Sequence, residues 1–156
     1  MPVYPPTWLP LLKNGYYPHL SKHDAAIWER FLDLYGGNWL DVAYDVALGG
    51  FVLADTLGSE VERLGWQYST ALKIDAVLRR AEDVWVCEVK PSAGVSAIGG
   101  ALSYVTLAED EPFDRRPLFP VVITDHASGD IKRVAEKLGV TLIEVPEPPP
   151  AAMQEV

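Results

Sequence analysis

The chain has 156 residues, enough for one domain with its own core, and a formal net charge of −9, which argues against a protein that coats DNA through bulk electrostatics. No apolar run approaches the ~20 residues of a membrane span, and the opening "MPVYPPTWLPLLKNG" lacks the basic-then-apolar pattern of a secretory signal. The single cysteine, Cys87, excludes an internal disulfide and a cysteine-based zinc site, so a reducing, cytoplasmic setting is expected.

Residues 1–20 are rich in proline and aromatic side chains and read as an irregular arm packed on the domain. Ser21 then offers an N-cap, with Asp24 three residues on in a capping-box arrangement. The stretch "KHDAAIWERFLDLYGG" follows as a helix, with Ile27, Phe31 and Leu34 on one face, widened by Trp28, Leu32 and Tyr35. Gly36–Gly37 ends it. In "WLDVAYDVALGGFVLAD" the residues Val42, Tyr44, Val46 and Leu48 alternate with Asp41, Ala43, Asp45 and Ala47, which predicts a strand closed by a Gly-Gly turn. Residues 56–65 show no decisive period. Strands are expected near 67–79 and 84–90. Val95, Ile98, Leu102 and Val105 recur at helical spacing. "PLFPVVITD" reads as a buried strand, "SGDIKRVAEKLG" as an amphipathic helix and "VTLIEV" as a last strand.

This order predicts a single α/β domain over residues 21–146 with a mixed central sheet flanked by helices. Residues 147–156 read as a disordered Pro-rich tail. After Val140 the chain carries Glu144, Glu147 and Glu155 and no lysine or arginine; removing these three charges from −9 leaves −6, so the acidity belongs to the domain.

The segment "LKIDAVLRRAEDVWVCEVK" carries the chemistry. Side chains two apart on a strand share a face, which puts Asp75 with Lys73, Val77 and Arg79, and Glu88 and Lys90 with Val84 and Val86. Ile74, Ala76 and Leu78 face the other way, as do Trp85, Cys87 and Val89. If the turn "RAED" pairs Arg79 with Val84, the same register sets Asp75 opposite Glu88. Facing carboxylates ~5 Å apart at Cβ are destabilising, and burial would drive one of them to protonate. A divalent cation such as Mg²⁺, which takes oxygen ligands, would remove the conflict. Lys90 beside Glu88 could orient a water or stabilise charge on a phosphate. The alternative is a solvated strand face with a Glu–Lys pair.

Asp75, twelve intervening residues and then Glu88-x-Lys90 resembles the PD-(D/E)XK nuclease superfamily, and "KIDAVL…VWVCEVKPSAGVSAIGGALSYVTL" is similar to its phage- and bacteria-borne members. The resemblance spans residues 22–145 and implies a restriction-endonuclease-like αβββαβ core. It further implies that Asp75, Glu88 and the Val89 carbonyl bind Mg²⁺ or Mn²⁺, that Lys90 is the catalytic lysine, and that Glu29 is the acidic residue of the first helix. The implied function is a metal-dependent endonuclease hydrolysing DNA phosphodiester bonds, with resolvases of branched DNA among the relatives. Members often dimerise, so a homodimer is an open expectation. Ile74 stands where the namesake proline would be. Gly100 stands where many relatives have a glutamine, four residues before a tyrosine, here Tyr104. A catalytically silent nuclease-fold module of a phage or mobile element is the alternative function, and a plain α/β domain outside the superfamily the alternative fold.

The remaining candidates read as ordinary surface chemistry. His19 and His23 are four apart but poorly placed for zinc, and His126 falls in a loop. Asp41 and Asp45 suit an exposed strand face. Arg79, Arg80, Lys132, Arg133 and Lys137 would form a phosphate-binding patch only if their elements converge.

Overall fold

The structure is a computed structural model that describes residues 4–13 and 15–150. In chain order its elements are α1 (Lys22–Tyr35), β1 (Asp41–Leu48), α2 (Glu60–Thr70), β2 (Leu72–Arg79), β3 (Val84–Val89), α3 (Val95–Asp110), β4 (Leu118–Thr124), α4 (Gly129–Lys137) and β5 (Thr141–Glu144). The five strands form one sheet in sequential order. β1, β2 and β3 run antiparallel, and β3, β4 and β5 run parallel. The domain is therefore α/β with a mixed sheet and four helices. Among the described residues no helix is long and apolar enough to cross a membrane.

The parallel strands are joined through α3 and α4, as parallel pairs require. Ala97, Ile98 and Ala101 of α3 and Ala135 of α4 bury against Val122 of β4 on one face. α1 covers the other face with Ile27, Trp28 and Phe31, which pack on Ala76, Leu78, Cys87, Val89, Val121 and Ile123. The sheet is thus apolar on both sides, which explains why β2 and β3 carry hydrophobic residues at odd and even positions alike. The Ser21–Asp24 capping box forms as its sequence predicts. Leu34 and Tyr35 do not join the core: both are exposed, Tyr35 stacking on Phe31 from outside.

Three expectations are corrected. The strand expected from residue 67 begins at Leu72, because residues 60–70 form α2. Its start is a second capping box, with Glu62 N–H donating to Ser59 Oγ and Ser59 N–H donating to Glu62 Oε2. The alternation through β1 breaks at Asp45, whose φ of 51° is left-handed. Val42 and Tyr44 lie on the α1 side, whereas Val46 and Leu48 beyond it join the α3-side cluster with Ile74. Ile74 therefore does not share a face with Ala76 and Leu78. Gly50 (φ 92°) is obligatory after β1, since a Cβ there would lie 2.1 Å from the Gln67 carbonyl oxygen.

The arm has no helix or strand in its described residues, but it is tied down. Leu9 and Val42 exchange two backbone hydrogen bonds, and Tyr17 and Leu20 pack against the α1-side core. Residues 1–3 and 14 of the arm and 151–156 of the expected disordered tail lie outside the described residues.

Candidate active site

The hairpin register is the one its turn length implies: Arg79 pairs with Val84, and the ladder runs to Ala76↔Cys87. It then stops one pair short of Asp75 and Glu88. Beyond that point the Asp75 carboxylate reaches across, and its Oδ2 accepts the Val89 N–H at 2.8 Å. The side chain takes a donor that would otherwise serve the sheet. This fixes the carboxyl at the open end of the hairpin, beside the end of β3 and the first turn of α1.

Burial and like charge act together there. The Asp75 carboxyl is pushed up to about 7, first by burial and then by the Glu88 carboxylate, with Asp24 adding to the effect; the Val89 N–H and Lys90 pull the other way. Glu88 is raised too, chiefly by burial, against the opposing pull of its Tyr104 hydrogen bond and of Lys90. Tyr104 on α3 donates its hydroxyl to Glu88 Oε2 at 2.7 Å. Its own proton is held more tightly than usual, by burial and by that bond. No lysine or arginine among the described residues forms an ion pair with Asp75 or Glu88. Lys90, just past β3, is exposed, and its backbone N–H is anchored to the Ile123 carbonyl at 3.0 Å.

The structure brings Asp75, Glu88 and Lys90 together and adds Asp24, which the sequence pattern assigned only to a cap. Glu29 is held elsewhere on α1: its Oε1 accepts the Tyr17 hydroxyl at 3.1 Å, and it lines a cleft with Tyr16, Leu20 and Lys22. The signal that separates the two is the helical turn they occupy. Asp24 sits in the first turn, the end nearest the open end of the hairpin. Gly100 lies against the site, where a Cβ would meet Glu88 Cδ and Oε2 at 3.8 Å and the Tyr104 hydroxyl at 3.9 Å, ordinary contacts that leave room for a side chain.

The donor set is hard and oxygen-rich, which suits Mg²⁺ or Mn²⁺. Two desolvated carboxylates without a bonded side-chain cation are the chemistry a divalent ion relieves. No group of three His, Cys, Asp or Glu side chains among the described residues is gathered as a metal cage. An ion here would rest on Asp75 and Glu88, with the Val89 carbonyl as a further candidate and water completing the shell, the usual habit of Mg²⁺.

The other sequence candidates are dispersed. Asp41 is not a free surface charge but binds Arg79. Asp45 is also engaged, with Tyr68 and His19 on its Oδ2. Arg79 stacks over Trp8, its guanidinium carbon 3.5 Å from the ring centre, Arg80 pairs with Asp83, and Lys132 pairs with Glu144. These bases do not converge into a phosphate patch. His23 faces Asp125, a pairing between distant residues that no local pattern shows.

No family model matches the chain, and no curated protein does. Among solved structures it is similar to a repair endonuclease from Pyrococcus abyssi, with 13% identity and a TM-score of 0.50 over 85% of this chain and 50% of that one. It is also similar to a crystallised protein of unknown function, with 16% identity and a TM-score of 0.49 over 77% of this chain and 56% of that one. The chain thus spans about half the length of these structures, and the likeness to the endonuclease is one of fold.

Proposed function

We propose that the protein is a divalent-metal-dependent endonuclease of the PD-(D/E)XK type, with DNA as substrate and Mg²⁺ or Mn²⁺ as cofactor. The observation that carries this reading is the carboxylate pair to which no side-chain cation is bonded. Asp75 and Glu88 are brought together with raised proton affinity at the end of a β-hairpin, with Lys90 beside them. The fold-level similarity to a repair endonuclease supports it.

A bound divalent ion would polarise the phosphoryl oxygen and acidify a water. The protein's own groups do the positioning. Val89 N–H fixes one Asp75 oxygen, and Tyr104 fixes one Glu88 oxygen. Each carboxylate therefore presents its other oxygen in a set direction. Lys90, exposed at the rim, holds the attacking water or the phosphate charge that builds up as phosphorus gains its fifth oxygen.

A second reading has its own support. Gly100 offers no polar side chain next to Glu88, and the charge of −9 disfavours DNA at long range. A catalytically silent module of the same fold would keep the geometry and lose the reaction. The two readings separate when plasmid, single-stranded and four-way-junction DNA are incubated with Mg²⁺ or Mn²⁺. Cleavage by the wild type that disappears in Asp75→Ala and Lys90→Ala establishes the enzyme. Absence of cleavage on every substrate, with no metal uptake in calorimetry, establishes the module. Preferential cutting of the junction would add the resolvase specificity.

A further inference from the structure

We propose that His23, oriented by Asp125, is the general acid that protonates the oxygen leaving phosphorus; this rests on the nuclease reading above. The acidic pair and its neighbours leave that role unfilled. Tyr104 is committed to Glu88, Lys90 serves the attacking water or the phosphate charge, and Asp75 and Glu88 are the acidic pair itself. None of these is free to deliver a proton to a departing alkoxide.

His23 is placed to do so. It precedes Asp24 in the first turn of α1, and Asp24 is near enough for its charge to act on both Asp75 and Glu88. The His23 Nε2 is 3.4 Å from Asp125 Oδ2. Asp125 follows β4, and its other oxygen accepts the Ser92 N–H at 2.7 Å. Ser92 lies two residues past Lys90 and is held at a left-handed φ of 45°, a strained state that surrounding structure must enforce. The dyad is therefore tied to the segment that carries Lys90. The carboxylate is mostly covered, with 18% of its side chain exposed, while 56% of the imidazole faces solvent. With Nε2 turned to Asp125, Nδ1 is left for substrate. A base or acid oriented by a carboxylate is a recurrent catalytic pairing.

The step balances. Water oxygen bonds to phosphorus as the bond from phosphorus to the sugar oxygen breaks, and the water's proton goes to solvent. The departing oxygen takes the proton on His23 Nδ1, and the imidazole regains one from bulk water. Asp125 stays ionised and acts as a positioning residue.

The test compares two leaving groups with Mn²⁺ present: the sugar alkoxide of plasmid DNA, which needs a proton, and the nitrophenolate of bis(4-nitrophenyl) phosphate, which does not. His23→Gln is expected to lower plasmid cleavage about 100-fold and to leave aryl ester cleavage within about twofold of wild type. Asp125→Asn is expected to lower only plasmid cleavage, by about tenfold, and to shift the imidazole ¹⁵N resonances of His23. Equal losses on both substrates, no loss on either, or unchanged ¹⁵N resonances in Asp125→Asn would overturn the assignment. A wild type silent on both substrates would instead overturn the nuclease reading, and this inference with it.

Discussion

The two ends of the β2–β3 hairpin share the same pair of strands and treat charge in opposite ways. At the turn end every half-buried charge has a partner. Arg79 Nε donates to Asp41 at 2.7 Å, and its Nη1 lies 3.4 Å from Asp114. Arg80 Nη2 donates to Asp83 at 2.8 Å. The backbone ladder there is intact. At the open end the ladder stops and two carboxylates sit together without a side-chain cation bonded to either. A stability-driven sequence would resolve both ends alike, since uncompensated buried charge is costly. On the proposed nuclease reading, the active site lies at the end where no side-chain cation is bonded.

Substitutions at either end can break this contrast. The largest effect is expected in catalysis. Lys90→Ala should reduce DNA cleavage by about 10²–10³-fold or more without lowering the melting temperature, because its side chain is exposed. Asp75→Ala should lose as much activity and also some stability, because it strands the Val89 N–H. A change of equal depth from Arg79→Ala, at constant stability, would remove the distinction between the ends.

Next comes the pH dependence of the metal-free protein. Asp75 has a folded-state value near 7 against an ordinary 3.8, so the folded chain binds a proton that the unfolded chain releases. The associated stability is fully present below about pH 4 and is lost as pH rises through about 7, a fall of about 2–4 kcal/mol. Urea midpoints between pH 4.5 and 8 measure it. Asp75→Asn should flatten the curve, and Mg²⁺ at pH 8 should restore stability to the wild type.

At the turn end, Arg79→Ala should cost about 1–3 kcal/mol, because it strands Asp41; Asp114 keeps its Arg116 partners. Chemical denaturation at pH 7 reads this directly. The smallest effect is at Gly100, where an added Cβ would make only ordinary contacts. Gly100→Ala should raise stability by about 0.5–1 kcal/mol through helix propensity, and a loss of that size would show that the glycine is needed for close packing.

Much of this contrast was legible in the amino-acid pattern. The four-residue turn, a local feature, is enough to fix the register from Arg79↔Val84 to Ala76↔Cys87, whereas strand parity fails one step further on, where Ile74 changes face and the ladder stops short of Asp75 and Glu88. The capping box at Ser21 is equally local. Ser59-x-x-Glu62 carried the same signal for α2, but the surrounding segment has no apolar period: Gln67 is the buried residue of that helix. The break at Asp45 was not legible, since it depends on the Tyr68 and His19 contacts that hold it. The choice between Asp24 and Glu29 needed to know which end of α1 overlies the open hairpin, a matter of tertiary placement. The His23–Asp125 pairing likewise joins residues about a hundred positions apart, which periodicity cannot connect.

The most direct measurement is calorimetric titration of Mn²⁺ into the metal-free protein, wild type against Glu88→Gln. One ion per chain is expected to bind the wild type, with the heat lost in the variant while the fold persists by circular dichroism. Equal heats in both proteins, or none in either, would contradict a metal site between Asp75 and Glu88.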